Sequence, residues 1–382
     1  MTLVAALATP AFAEVTIGNT HVSLLKDGAQ AFPSMLAAIA SAQRTICFET
    51  YILRDDATGT KFAEALKERA RNGVEVNLIF DGWGSSVSNR FVLDLSLTGI
   101  RTLNFQPVRF FGRFGRAIAR LKRRNHRKSL IIDGKVGFTG GLNICDDYAS
   151  VDHGGRGWRD THVRIEGPPA ADLERLFLET WRRYKGASLD QRRYVREVAS
   201  PGPVKILGNE FRADRKDIRK AYVSAMGSAQ QKIYVTNAYF MPPSKFLKTM
   251  TKAARNRVRV AVILAASTDV RPVLWAARGL YPRLLRAGVE VYEWEGRILH
   301  AKTAVVDTRW STVGSANLDS LSLRQNLEVN AVFEDPQLAA AVERMFEEDL
   351  KQCRRITREW LRDRPIAERF LSWFAFQFRR WM

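Results

Sequence analysis

Two short stretches of the chain repeat the same polar residues at the same spacing. His126, Lys128, Asp133 and Asn143 stand at offsets 0, 2, 7 and 17, and His300, Lys302, Asp307 and Asn317 repeat those offsets 174 residues later. Each Asn closes a run of small residues, Gly140-Gly141-Leu142-Asn143 or Gly314-Ser315-Ala316-Asn317. A lone His-x-Lys arises often by chance; eight polar positions in fixed register do not. The duplication predicts one site built from two halves, holding two imidazoles and two ammonium groups. Imidazole is nucleophilic and carries a proton near neutral pH. Ammonium and amide donors hold anionic oxygens as charge develops. Displacement at a phosphate ester needs both.

Those side chains must be carried by regular elements. Each histidine precedes an apolar run, Ser129-Leu130-Ile131-Ile132 or Thr303-Ala304-Val305-Val306. Along extended backbone, residues two apart project to one side, so each His shares a face with its Lys. The repeat also extends upstream. Thr45 to Tyr51 parallels Lys232 to Tyr239, and Lys61 to Phe80 parallels Lys245 to Leu264, each an amphipathic helix, a turn and a β-branched run. Alternating helix and strand predicts an α/β fold. The expectation is two similar α/β domains, mixed sheets flanked by helices, packed pseudo-symmetrically around one active site. Residues 1–16 read as an N-terminal extension, 17–200 and 201–350 as the two domains, and 351–382 as a basic aromatic tail.

With 46% hydrophobic and 26% charged residues, the 382-residue chain has the composition of a folded globular protein rather than a disordered one. Its 60 Lys+Arg against 40 Asp+Glu give a net charge of +20, a field that attracts nucleic acid or an anionic membrane face. No apolar stretch approaches the roughly 20 residues that a spanning helix needs, so action on a membrane would come from its surface. The N-terminus ends in an Ala-Phe-Ala that imitates an export cleavage site, but it has no basic start and contains Pro10. It reads as a weakly ordered extension, with a truncated export signal as the alternative. Cys47, Cys145 and Cys353 lack metal-type spacing, and no metal or cofactor is expected.

Arg109 to Lys128 carries nine Lys+Arg in 20 residues and no acid. On a helical wheel Phe110, Phe114, Ile118 and Leu121 face one way and Arg113, Arg116, Arg120, Arg123, Arg124 and Arg127 the other, although Gly112 and Gly115 weaken a helix. This is either an interfacial segment for anionic lipid or a solvated basic face packed on the core. In the tail, Phe370, Trp373, Phe374, Phe376, Phe378 and Trp381 crowd with Arg369, Arg379 and Arg380, which suits a bilayer interface or a terminal helix packed on its domain.

The paired His-x-Lys-x4-Asp signatures resemble the phospholipase D superfamily. Phe48-Glu49-Thr50-Tyr51-Ile52, Trp158-Arg159-Asp160-Thr161-His162-Val163, Asn237-Ala238-Tyr239-Phe240 and Val313 to Asn330 narrow the likeness to bacterial cardiolipin synthases of the short type without N-terminal membrane helices, over about residues 20 to 350. The resemblance implies phosphatidyl transfer from phosphatidylglycerol to a second phospholipid, phosphatidylglycerol foremost, through a phosphohistidine. His126 would attack and His300 would pass protons. Lys128, Lys302, Asn143, Asn317 and Ser315 would hold the phosphoryl oxygens. Asp133 and Asp307 would be chemical participants or structural anchors. Glu328, 28 residues after His300, matches the carboxylate that orients a histidine; the first half has Gly154 at that offset, and Asp160 is the substitute. Glu49 is open to a structural or a functional role, and His21, His153 and His162 read as ordinary residues. The implied setting is peripheral, on the cytoplasmic face of a bacterial inner membrane, with anionic phospholipid and no nucleic acid as partner, and one chain can hold a complete site. The competing readings are a hydrolase of the same superfamily, a phospholipase D or a nuclease with water as acceptor, and an idle membrane-binding scaffold.

Overall fold

A computed structural model of the chain describes residues 10–107, 123–184, 186–194, 202–210, 217–268 and 270–377. The stretch 109–122 of the arginine-rich segment, the first nine residues, and Phe378, Arg379, Arg380 and Trp381 lie outside the described residues.

The first half forms strands β1 (Ala13–Ile17), β2 (Thr20–Lys26), β3 (Thr45–Thr50), β4 (Glu75–Asp81), β5 (Arg101–Phe105), β6 (Ser129–Ile132), β7 (Val136–Gly140) and β8 (Thr161–Glu166). The second forms β9 (Val204–Asn209), β10 (Lys232–Asn237), β11 (Arg259–Ala265), β12 (Glu290–Trp294), β13 (Lys302–Val306), β14 (Trp310–Gly314), β15 (Glu328–Phe333) and β16 (Cys353–Ile356). The sheet orders are β1-β2-β8-β7-β6-β3-β4-β5 and β16-β12-β11-β10-β13-β14-β15-β9. Reversing the second superimposes β9, β15, β14, β13, β10, β11 and β12 on β2, β8, β7, β6, β3, β4 and β5. In both halves the three strands joined by crossover helices pair in parallel and the rest antiparallel, the chain geometry that βαβ connections impose.

β3 and β10 are central; β3 is buried throughout and β10 from Ile233 on. The strand that follows each histidine pairs beside them, Ile46 opposite Ile132 and Ile233 opposite Val306. Helices Pro169–Arg183 and Pro336–Leu350 return after β8 and β15. An apolar core joins the halves, running from Ile131, Val163 and Phe177 to Val305, Val329 and Phe346. Two further cores lie on the other sheet faces.

The boundaries differ from those read in the sequence. β1 begins at Ala13, inside the predicted extension, and pairs along β2. The predicted tail contributes β16, which pairs with β12, and helices Arg358–Asp363 and Ile366–Gln377. A four-residue edge strand is too short to produce a readable alternation.

From Arg124 on, the described end of the arginine-rich segment is extended and buried rather than a solvated polar face. Arg124 pairs with Asp81. Arg127 donates to the carbonyls of Leu176, Asn209 and Glu328 and to Thr180 Oγ1. Guanidinium satisfies several buried acceptors at once, so arginine here ties the two halves together.

Candidate active site

Two backbone bridges cross between the halves. Just before β6, His126 N donates to Leu327 O (2.9 Å) and Leu327 N to Arg124 O (3.0 Å). Just before β13, Arg159 N donates to Ile298 O (2.9 Å) and His300 N to Arg159 O (2.7 Å). Each histidine is thereby fixed beside the residue that precedes the other half's carboxylate. The side chains follow: His126 Nδ1 lies 3.0 Å from Glu328 Oε2, and His300 Nδ1 lies 2.7 Å from Asp160 Oδ2. The sheet register makes the carboxylates equivalent. Gly140 pairs with His162 and Gly314 with Asn330, and each acid stands two residues before that partner. The first-half loop is six residues longer and holds a short 3-10 turn at Val151–His153, which is why Asp160 misses the expected offset.

A carboxylate at Nδ1 fixes the tautomer that carries hydrogen there and leaves the Nε2 lone pair for chemistry. The electrostatics agree. Burial pushes His126 below its ordinary value, aided by Lys128 and Lys302 and opposed by Glu328. Burial and Lys302 push His300 down to about 4 against the pull of Asp160. Burial alone would raise Glu328 and Asp160. Glu328 is held below its ordinary value by His126, Lys128 and Ser315, and Asp160 by Lys302, His300 and the Thr161 amide. Burial, with repulsion from Lys302, brings Lys128 down to about 7. These shifts favour neutral imidazoles on two carboxylates, flanked by two lysines. Each lysine Nζ donates to the carbonyl of its own histidine, Lys128 to His126 at 2.8 Å and Lys302 to His300.

Aromatic rings pack on the pair. Tyr51 meets His126 edge to face at 4.8 Å between centroids, and its ring lies 5.2 Å from Lys128 Nζ. Tyr239, one position beyond the register equivalent of Tyr51, meets His300 at 6.4 Å. The Tyr148 hydroxyl stands 3.2 Å from His300 Nδ1. Both histidines open into one cavity of about 410 Å³ that also reaches Trp83, Arg124, Trp158, Asn317 and Asp319.

Residues 35–181 and 222–350 match the family model described as cardiolipin synthase, PLD-like domain. The chain belongs to the cardiolipin synthase family of the phospholipase D superfamily. It is 32% identical over 363 residues to a probable cardiolipin synthase of Bacillus subtilis, covering 94% of this chain and 71% of that protein. It is 36% identical over 324 residues to cardiolipin synthase B of Shigella flexneri, covering 83% and 77%. Among solved structures, a phosphatidylserine synthase of Haemophilus influenzae has the same fold, with a TM-score of 0.72, 14% identity, and 94% and 93% coverage. As a family member the chain is a phosphatidyltransferase enzyme with a duplicated phospholipase D-like α/β fold.

Against the family signature, the structure brings His126, Lys128, His300, Lys302, Asp160 and Glu328 together. It places four other expected residues differently. Asp133 and Asp307 do not line the reaction cavity. Both have a left-handed backbone, φ 53° and 51°. Asp133 accepts from the amides of Gln43, Arg44 and Thr45 at 2.7–3.0 Å, and Asp307 from those of Gln230, Gln231 and Lys232 at 2.7–2.9 Å. They are anchors for the turns that open β3 and β10, because a short acceptor in that backbone state can satisfy consecutive amides. Ser315 is bonded to its own half of the site. Its Oγ donates to Glu328 Oε2 (2.5 Å) and accepts from Val329 N (3.0 Å). Asn143 is turned inward, its Oδ1 on Ile52 N (3.0 Å) and its Nδ2 on the Tyr148 hydroxyl (2.7 Å). Asn317 does line the cavity, and among the described residues no group bonds its Oδ1.

The sequence reading missed Tyr148, which has no repeat partner, and Tyr51 and Tyr239, which stand one position out of register with each other. Glu49 is buried, accepts from Asn125 Nδ2 (2.6 Å), and serves the bridge strand. His162 is buried beside Gly140, and burial holds it down to about 4.

Proposed function

We propose that this chain is a cardiolipin synthase that moves a phosphatidyl group from phosphatidylglycerol to a second phospholipid, phosphatidylglycerol foremost, through a phosphohistidine. The observation that carries the reading is the pair of crosswise His–carboxylate contacts facing one cavity. One imidazole Nε2 attacks the phosphorus, the phosphorus–oxygen bond to glycerol breaks, and the other imidazole gives that oxygen its proton. The second imidazole then takes the proton of the acceptor hydroxyl, whose oxygen displaces the first imidazole and restores it. Following the family resemblance, His126 is the attacking group and His300 the proton carrier. Lys128, Lys302 and Asn317 hold the phosphoryl oxygens. A phosphodiester anion between the lysines opposes the field that depresses the imidazoles, and so eases proton uptake in the complex.

The expected result with phosphatidylglycerol vesicles is cardiolipin plus one glycerol per turnover, with an acid-labile, base-stable phosphoenzyme on rapid quenching. Phosphatidic acid as the main product would replace the synthase reading with a hydrolase.

The proposed setting is peripheral, on an anionic membrane face, the cytoplasmic side of an inner membrane. Among the described residues no helix is long and apolar enough to cross a membrane. Helix Ile366–Gln377 leaves Ile366, Phe370, Trp373 and Phe374 exposed while Ser372 and Ala375 are buried. It packs on helix Arg271–Arg278, where Gly279 admits Phe376 and Ser372 so closely that a Cβ would sit 2.7 Å from each. That second helix carries Pro272 and Val273, which line the reaction cavity. The aromatic face therefore borders the wall of the site, and the +20 charge favours anionic lipid. Each large apolar side chain that inserts contributes about 1.5–3 kcal/mol. A Phe370→Ser/Trp373→Ser variant is expected to bind phosphatidylglycerol vesicles at least about a hundredfold more weakly in sedimentation. Unchanged binding would remove this helix from the docking surface.

A further inference from the structure

Asp319 lines the reaction cavity, is 6% exposed, and pairs with no Lys or Arg among the described residues. Its Oδ1 accepts from Ser322 N at 2.7 Å, and its Oδ2 lies 3.5 Å from Ser322 Oγ. The fold does not require a carboxyl at this place. Bridges Leu53–Ile144 and Phe240–Leu318 fix the equivalence of the two loops, and the position that matches Asp319 is Cys145, buried and away from the cavity. A carboxyl set in a water-poor site without a counter-ion costs stability unless a ligand completes its hydrogen bonds. Ser322 and Asn326 line the cavity beside it, and Asn326 Oδ1 accepts from Arg124 N (3.2 Å). This wall is polar, whereas Trp158, Met241 and Val273 are apolar lining of the same space.

We propose that Asp319, with Ser322 and Asn326, forms a subsite for the hydroxyls of a polyol headgroup, the glycerol class of alcohol, which deepens the synthase reading and rests on it. Burial and the nearby Glu328 push Asp319 up to about 7, against its bonds to the Ser322 and Leu321 amides. Asp319, Ser322 and Asn326 offer several polar partners on one wall, which match the several hydroxyls of a glycerol head rather than the single hydroxyl of ethanolamine, so the subsite favours a glycerol head and an alcohol over water.

The test uses the full chain on phosphatidylglycerol vesicles with labelled glycerol or ethanolamine as competing acceptor, scoring exchanged lipid and phosphatidic acid. Asp319→Asn keeps an acceptor for Ser322 N. With its carbonyl kept on Ser322 N, the amide NH2 stands where Oδ2 would accept a glycerol hydroxyl, so the change is expected to raise the KM for glycerol about tenfold, to leave the KM for ethanolamine far less affected, and to send a larger share of phosphatidyl groups to water. An unchanged glycerol KM with unchanged partition to water overturns the subsite and leaves the synthase reading standing. Equal losses toward glycerol, ethanolamine and water also overturn it, because they mark a purely structural residue. A wild-type chain that consumes no phosphatidylglycerol overturns both.

Discussion

Asp160→Asn is expected to lower phosphatidyl transfer by about 10³- to 10⁴-fold, the scale of a tautomer error in a catalytic triad, whereas Glu328→Gln should cost only about tenfold to thirtyfold. The carboxylates are equivalent in the fold but not in their bonding. Asp160 uses both oxygens: Oδ1 accepts from Thr161 N (2.7 Å) and Oδ2 faces His300 Nδ1 (2.7 Å). An Asn there must turn its carbonyl to the Thr161 amide, which sets its NH2 against His300. The imidazole then accepts at Nδ1 and carries hydrogen at Nε2, so it can neither attack through Nε2 nor take a proton there. Glu328 accepts from both His126 and Ser315 at Oε2 alone, and among the described residues its Oε1 has no partner. A Gln can place its carbonyl at the Oε2 position and keep both bonds. What disappears is charge, a difference of about 1–2 kcal/mol between a charge-assisted and a neutral bond, or about tenfold to thirtyfold in rate. His126→Ala, which deletes the proposed nucleophile, sets the floor. Turnover of the variants on phosphatidylglycerol vesicles, with nitrogen-15 shifts of the two imidazoles, separates the cases. Equal losses for Asp160→Asn and Glu328→Gln, or a His300 that keeps hydrogen at Nδ1 in the Asn variant, would sink the tautomer argument.

That inequality also marks how far sequence could be read. The repeated His, Lys and Asn positions, the α/β alternation and the doubled domain are legible because side-chain spacing along a strand is a local property. Partner choice is not local. Glu328 follows His300 in the chain but bonds to His126, since the deciding contacts are bridges between Asn125 and Leu327 and between Arg159 and Leu299. Asp160 was found as a substitute despite a six-residue loop that hid its equivalence. Asp133 and Asp307 look chemical in the signature because spacing does not encode a left-handed φ that turns a carboxylate toward three amides. Charge pattern likewise cannot tell a solvated arginine from one such as Arg127, whose acceptors come from Leu176, Thr180, Asn209 and Glu328. Duplication predicts what the halves share; Tyr148, Asp319 and the different bonding of the carboxylates belong to what they do not share.

Arg159→Met is expected to lower the unfolding free energy by about 3–5 kcal/mol, the cost of leaving one member of a buried ion pair alone. Arg159 is buried, and its Nε and Nη2 donate to Asp349 at 2.7–3.1 Å, joining the Asp160 strand to helix Pro336–Leu350 of the other half. Its Nη1 reaches Asp160 O, Thr161 Oγ1 and Asp27. Met fills similar volume but satisfies none of these acceptors. The deficit should depend on pH with a definite sign. Burial already raises Asp27 above its ordinary value, and the Arg159 guanidinium restrains that rise. Removing the guanidinium lets the folded-state value climb further. A group raised on folding favours the folded state below its unfolded value and loses that contribution as pH rises through the folded value. The variant should therefore be closer to wild type at pH 5 than at pH 8 in denaturant titrations. Arg159→Met/Asp349→Leu should recover most of the loss at pH 5 and less of it at pH 8, because Asp349 no longer stands without its guanidinium while Asp27 still does. A pH-independent deficit, or a double variant no better than the single one, would mean that Arg159 acts by packing alone. Recovered stability with depressed turnover would instead separate its two duties, since the same guanidinium bonds the backbone of the residue that orients His300.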